Sequence, residues 1–198
     1  MNLSMILISA ILVNNAVLIK SESVCPLIGA SGSDRSAAAM SLTVLFTTLT
    51  AQAIIWPIHY YVIEPFQLHY LETISTVLVV AGLVQAEELL FSSRWPALRS
   101  ELGIYLPLTA ANGAILSVLS ENLTDGNSFA DSMAYALGTG LAFCLAMFLF
   151  RCIRMKLLYS DIPESFRGPA SSMIAAAILA LVFMGFSGLI EGLFGMGM

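Results

Sequence analysis

Three cysteines are the side chains of this sequence best suited to hold a metal or to carry thiol chemistry. Cys25 lies in the stretch VCPLIGA, Cys144 in an apolar run, and Cys152 between two arginines. They are too few and too widely spaced for a disulfide framework, and there is no CxxC pair, Ser-His-Asp set or phosphate loop. The neighbours of Cys144 indicate ordinary buried packing, and nothing near Cys152 makes it a nucleophile. Cys25 is the thiol that calls for a specific explanation.

Asparagines inside apolar segments form a second candidate set. Asn14 and Asn15 lie in the first apolar segment, and Asn112 lies in the fourth, between the helix breakers Pro107 and Gly113. An amide in hydrocarbon is costly unless it meets a partner, so these side chains should face protein. Two interpretations stand side by side: hydrogen bonding between helices, or support for the backbone of an interrupted helix.

Two adjacent carboxylates, Glu87 and Glu88, end the third apolar segment close to Arg94. Snorkelling toward the membrane surface explains them adequately. The alternative is a relay for protons or cations, because an ionisable residue inside a membrane segment is a functional hypothesis by default.

The composition decides what kind of protein must position these residues. Of the 198 residues 58% are apolar and only 11% are charged, and the mean hydropathy is +0.88. So few charges do not cover the surface of a water-soluble globule. No basic or acidic run points to nucleic acid as a partner. The sequence therefore predicts an integral membrane protein whose partner is the lipid bilayer.

Apolar runs long enough to cross the hydrocarbon layer, which takes about 20 residues, recur along the chain. They do not alternate as barrel strands do, so we expect an all-α protein with a single membrane domain over residues 1–198. The first run lacks the charged start of a signal peptide and is expected to remain in the mature protein. Six transmembrane helices are predicted, at residues 3–19, 37–57, 68–91, 102–119, 128–152 and 169–194.

The basic residues predict the orientation of these helices. All eight flank the first, third and fifth connections, whereas the second and fourth connections and both termini carry none. The positive-inside rule makes the basic face cytoplasmic and puts both termini on the outer side of a bacterial-type inner membrane. Aromatic residues in the second connection fit an interfacial belt at the outer face.

The two halves of the chain, about 1–95 and 96–198, show a weak internal similarity. Laying residues 25–29 on residues 113–117 aligns a helix break, an apolar pair and a small residue, and it places Cys25 on Gly113. Three spans per half give the halves opposite orientations. This is the inverted-repeat plan, in which discontinuous helices, here the first and the fourth, build the functional site near the midplane.

Several stretches of the sequence resemble one family of membrane proteins. They are LVNNAVL (12–18), CPLIG (25–29), LGIYLPL (102–108), YSDIP (159–163) and FMGFSG (183–188). In this order and spacing they resemble the A subunit of Rnf-type ion-translocating electron transport complexes, a relative of the E subunit of the sodium-translocating NADH:quinone reductase.

The resemblance implies a six-span subunit, not catalytic alone, that pairs with a homologous membrane subunit of opposite orientation inside a translocase. Other subunits of such a complex carry flavin and iron–sulfur groups. In the family, two cysteines from each partner hold a 2Fe–2S cluster within the membrane, and thiolate is the usual ligand of such clusters. The cluster relays electrons between cytoplasmic and outer-side carriers, and this transfer is coupled to Na⁺ or H⁺ transport. Cys25 matches the first ligand position.

The second ligand position departs from the family pattern. The family has a cysteine directly after an asparagine in the fourth segment. In this chain Asn112 is followed by Gly113, which has no side chain to ligate iron. Three outcomes stay open: three cysteines plus another ligand hold the cluster, Cys144 takes the vacant place, or the site is empty. The last outcome favours the alternative function, an inverted-repeat ion transporter or a structural membrane subunit without a redox centre. Asn14, Asn15 and Asn112 are the expected supports of the broken helices.

Overall fold

A computed structural model of the chain describes residues 20, 22–66, 69–94, 105–124, 128–161, 163, 166 and 168–194. Within these residues the regular structure is helical throughout. The α-helices are α1 (Val24–Ala30), α2 (Asp34–Ile58), α3 (Glu72–Arg94), α4 (Leu106–Ala110), α5 (Gly113–Thr124), α6 (Phe129–Leu158) and α7 (Pro169–Phe194), and α2 continues into a π-helical turn at His59–Ile63.

Three helices of the described part are long and apolar enough to cross a membrane. They cover Asp34–Ile63, Glu72–Ser93 and Phe129–Leu158, and a shorter apolar helix covers Pro169–Gly185. They correspond to the second, third, fifth and sixth predicted segments. The first predicted segment, with Asn14 and Asn15, lies outside the described residues. The all-helical class is confirmed for the described residues, and the six-span inverted topology stays a prediction.

Helices α2 and α6 form the centre of the bundle. The small residue Gly140 of α6 lies directly against Leu45 of α2, where an added Cβ would meet the Leu45 side chain and approach its Cα to 3.2 Å. Such small residues let membrane helices pack closely. Met40, Phe143 and Phe150 are fully buried at this interface or beside it. Large apolar side chains on the outer faces are exposed, as expected where lipid or another subunit covers the helix; they include Leu42, Phe46, Leu78, Phe148 and Leu181.

The fourth predicted segment is interrupted. Its described part begins with the short helix α4, turns at Ala111 and Asn112, and restarts as α5. The predicted discontinuity of this segment is therefore present, and α5 extends five residues beyond the predicted end at 119. The chain after the first predicted segment contains a second short helix, α1, which accommodates Pro26 because backbone N–H groups in a first helical turn lack intrahelical partners.

Candidate functional site

The two short-helix regions meet, and Ser23 and Asn112 join them. The Ser23 hydroxyl donates a hydrogen bond to Asn112 Oδ1, and both side chains are fully buried. The same Oδ1 accepts the Ala114 backbone N–H at 3.1 Å, one of the orphan donors at the start of α5. Asn112 therefore has both of the roles that the sequence suggested. It supports the interrupted helix at Ala114 and forms a hydrogen bond to Ser23 in another segment.

Gly113 sits where the connection before α1 passes closest to α5. A Cβ built on Gly113 would lie 2.5 Å from the backbone oxygen of Glu22 and 3.1 Å from its Cβ. Real Cβ atoms essentially never approach backbone so closely, so Gly113 permits this crossing. The position lacks a ligand side chain and also lacks the room for one in this backbone arrangement.

Cys25 lies two residues beyond Ser23, at the start of α1, and its side chain is exposed. Pro26, Leu27 and Ala30 of the same helix are buried. Helix α1 therefore packs on the bundle through one face and presents the thiol on another. The contacts of Glu22 and Ser23 with Gly113 and Asn112 form a junction between the start of α1 and the start of α5, and the exposed Cys25 thiol lies two residues beyond Ser23.

Two arginines of α6 hold the far end of α1. Arg154 Nη1 donates to the Ile28 carbonyl and to Ser31 Oγ, both at 2.7 Å. Arg151 donates to Asp34 Oδ1 at 2.7 Å and to the carbonyls of Ser31 and Gly32. Cations suit a helix C-terminus because its last carbonyls lack intrahelical partners. The position of α1, and with it of Cys25, is fixed at both ends.

Lys20 contacts Glu121 of α5, and Ser117 and Tyr135 also lie within 3.4 Å of that carboxylate. Eight residues of helix, about 12 Å, separate Glu121 from Gly113. Tyr135 precedes Arg151 by sixteen residues of α6, about 24 Å, so Lys20 lies away from the arginines that hold the end of α1. Because Lys20 does not lie with these arginines, the predicted orientation of the helices depends on the other seven basic residues.

The remaining predicted residues lie away from the junction. Cys144 Sγ is 3.6 Å from the Ser41 carbonyl, between α6 and α2, which agrees with a packing role. Cys152 is exposed near the end of α6. Within the part of the chain that the structure describes, no group of three or more His, Cys, Asp and Glu side chains is arranged to hold a metal ion. These residues fit a contribution of one thiolate, from Cys25, and do not fit a pair.

Polar residues outside the predicted set also carry contacts between helices. Asn122 of α5 donates to Gln52 Oε1 of α2 at 3.1 Å, and both are buried. Thr47 of α2 hydrogen-bonds to Glu87 of α3. Gln52 and Thr47 are polar residues within an apolar run, so the signal that identified Asn112 was available for them too. Ser23 offered no such signal, because it lies among Ser and Glu residues.

Comparison with known proteins identifies sequence relatives over nearly the whole chain. The family model described as Rnf-Nqr subunit, membrane protein, matches residues 3–190. The chain is 41% identical over 191 residues to the A subunit of the ion-translocating oxidoreductase complex of Syntrophotalea carbinolica, covering 96% of this chain and 99% of the relative. Proteins of the same name from Shewanella amazonensis and Alcanivorax borkumensis are 40% and 39% identical, with 94% of this chain and 97% of each relative covered. The chain belongs to the Rnf-Nqr family of membrane proteins.

Proposed function

We propose that this chain is a membrane subunit of an Rnf-type ion-translocating oxidoreductase complex and works beside a homologous subunit of opposite orientation. The observation that carries the proposal is the similarity to the A subunits of ion-translocating oxidoreductase complexes across 94% or more of the chain. The proposed contribution of the chain is a scaffold that positions one thiol and spans the bilayer.

The inverted-repeat arrangement is part of this proposal. Its support is the pairing of Ser23 with Asn112 and the close approach of Glu22 to Gly113. In an inverted repeat the two broken helices meet near the midplane and form the functional site. The register that lays Cys25 on Gly113 puts the two residues at equivalent places of the two halves.

Cys25 is the proposed ligand of a 2Fe–2S cluster shared with the partner subunit. Thiolate is the appropriate ligand for iron in such a cluster, and the exposed side of α1 leaves Cys25 accessible to another chain. The cluster, when bound, supplies one-electron transfer. Because Gly113 offers no side chain, this subunit contributes a single cysteine, and the other ligands come from outside the described residues.

The test is the iron content of the purified subunit pair. About two iron atoms per heterodimer, with an electron paramagnetic resonance signal after reduction, are expected for one such cluster. Cys25→Ser is expected to lose iron and signal. Cys152→Ser removes the other exposed thiol and is the matched control, which should keep both. Unchanged iron in Cys25→Ser excludes this residue as an essential ligand.

The second candidate function is an ion-translocating or structural subunit without a redox centre. The crowding of Gly113 against the Glu22 backbone favours it, because that position accepts no ligand side chain without movement. An iron-free subunit pair in a complex that still translocates Na⁺ or H⁺ supports this function and contradicts the electron-transfer proposal.

A further inference from the structure

A carboxyl group lies buried between two of the helices that are able to span the membrane. Glu87 of α3 is 4% exposed, and Thr47 of α2 is fully buried. Thr47 Oγ1 is 3.0 Å from Glu87 Oε1 and 2.8 Å from Oε2. The junction with Cys25 does not use this pair, so it needs a separate explanation.

The single hydroxyl hydrogen of Thr47 has three possible acceptor oxygens within reach, one on Thr43 and two on Glu87. Thr47 Oγ1 also lies 2.8 Å from the backbone carbonyl of Thr43, the usual partner of a threonine hydroxyl inside a helix. A hydroxyl has one hydrogen and two lone pairs, and a carbonyl oxygen only accepts. When Thr47 donates to Thr43, the contact with Glu87 requires a hydrogen on the carboxyl group. A carboxylic acid supplies it, with Glu87 as donor and Thr47 as acceptor.

Among the described residues, the helices packed against α3 provide no cation to balance an ionised Glu87. Helix α3 packs against α2, α4 and α5. Helix α2 has no titratable side chain between Arg35 and His59, and α4 has none. The titratable group of α5 is Glu121, which is acidic and contacts Lys20.

The charges on α3 itself are also unsuited to pairing with Glu87. Glu72 begins the helix fifteen residues away, about 22 Å, and Arg94 ends it seven residues away, about 10 Å. Glu88 is acidic and points about 100° around the helix from its neighbour. The remaining titratable groups lie in the turn His69–Leu71, beyond Glu72. Burying an unpaired charge in such a place is costly, whereas a neutral acid with a hydrogen-bond partner is not.

The geometry also distinguishes a proton from a sodium ion. Membrane proteins bind sodium with several oxygens, many of them backbone carbonyls freed where a helix unwinds. Glu87 and Thr47 lie within uninterrupted stretches of α3 and α2, whose carbonyls are engaged in helical hydrogen bonds. Among the described residues, the Glu87 and Thr47 side chains remain as ligands, and these two are enough to share a hydrogen but too few to surround a metal cation.

We propose that Glu87 and Thr47 form a proton-binding site between α2 and α3, at which Glu87 takes up a proton and donates it in a hydrogen bond to Thr47. The ligand is the proton and not a metal cation. The site is separate from the junction at Cys25 and requires no iron, so it stands or falls independently of the proposed electron transfer.

An apolar cavity gives hydrophobic reagents access to this region. Its volume is about 570 Å³, and it lies between α2 and α3 one helical turn from the pair, with Thr43 and Phe91 in its wall. The neighbouring Leu90 is half exposed. A membrane-soluble carbodiimide, which reacts with carboxylic acids, is able to enter from this side.

Infrared spectroscopy of the full-length protein in its membrane complex tests the proposal directly. At neutral pH the carbonyl stretch of a protonated carboxylic acid is expected in the native protein and lost in Glu87→Gln. Glu88→Gln is the matched control and should keep the band. Thr47→Val, which removes the hydroxyl at similar volume, should keep the band and shift it to higher frequency. A native protein whose Glu87 absorbs only as carboxylate overturns the proposal.

Labelling with dicyclohexylcarbodiimide, followed by mass spectrometry, distinguishes the proton from sodium. The adduct at Glu87 is expected to decrease as the pH rises and to be unaffected by sodium at constant pH and ionic strength. Protection by sodium but not by potassium would instead identify a cation site and refute proton selectivity. Because infrared detection needs no reagent access, it decides the case even when no adduct forms.

Discussion

At the scale of single residues, the junction between the start of α1 and the start of α5 depends on the Asn112 amide and on the absence of a side chain at Gly113. Asn112 Oδ1 accepts from both Ser23 and Ala114, so one oxygen joins the two segments and satisfies the start of α5. Gly113 allows the Glu22 backbone to pass beside it. A hydrogen bond buried in this way is worth about 1 kcal/mol net, and leaving its partners unsatisfied costs about 1–3 kcal/mol.

Gly113→Ala is expected to destabilise the protein, because the new Cβ overlaps the Glu22 carbonyl oxygen and the backbone must move. Overpacking of this kind costs roughly 1–3 kcal/mol. Gly82→Ala is the matched control: a Cβ there meets nothing within 4 Å, and removing a helical glycine is worth roughly 0.5–1 kcal/mol. The midpoint of thermal unfolding in one detergent should fall for the first variant and stay or rise for the second. Equal midpoints would show that the close approach is absent.

The variant Gly113→Cys meets the same steric conflict with Glu22. A cysteine has the Cβ that collides with Glu22, so its sulfur reaches the junction only after the connection at residues 22–23 shifts. Recovered iron binding in that variant is therefore expected only together with lower thermal stability.

At the scale of elements, α1 is a short helix held by its neighbours. Seven residues are too few for a helix to be stable alone, so packing and terminal contacts must hold it. Ser23 and Asn112 hold its beginning, and Arg151 and Arg154 hold its end. The orientation of Cys25 is consequently set by α5 and α6, which lie far away in sequence.

Arg154→Gln should loosen α1 from its C-terminal end. The variant shortens the side chain and removes the charge that hydrogen-bonds to Ile28 and Ser31. A hydrogen bond to a charged group is worth roughly 1.5–3 kcal/mol, so hydrogen exchange of peptides covering α1 should become about tenfold faster or more.

Lys156→Gln is the control for this measurement, since it removes a positive charge from the same helix at an exposed position. Its exchange in α1 should match that of the native protein. If Arg154→Gln also exchanges at the native rate, the arginine contacts do not hold α1 in place.

At the scale of the whole molecule, hydropathy predicted the long helices and missed the contacts between segments. The predicted segments at 37–57 and 128–152 correspond to α2 and α6, but α6 continues to Leu158 through Arg154 and Lys156. Hydropathy detects the part of a helix that lies in hydrocarbon and cannot detect its continuation into polar surroundings. The crowding at Gly113 involves a residue 91 positions earlier in the chain, and no local pattern encodes such a contact.

The predicted orientation, from the distribution of basic residues, and the predicted number of spans, from the apolar segments, are testable by labelling single cysteines in cells. Cys152 and Ser128→Cys mark the two ends of α6, about 36 Å apart, which exceeds the roughly 30 Å hydrocarbon layer. With Cys25 and Cys144 replaced by serine, a membrane-impermeant maleimide added outside should label Ser128→Cys, whereas Cys152 should react only in inverted vesicles. The opposite pattern would reverse the orientation predicted from the basic residues.

The variant Asn2→Cys tests the number of membrane spans. Four predicted spans lie between residue 2 and Ser128, so both positions are expected on the outer side. Labelling of that cysteine from the cytoplasmic side would mean an odd number of crossings before α6, which the six-span arrangement does not allow.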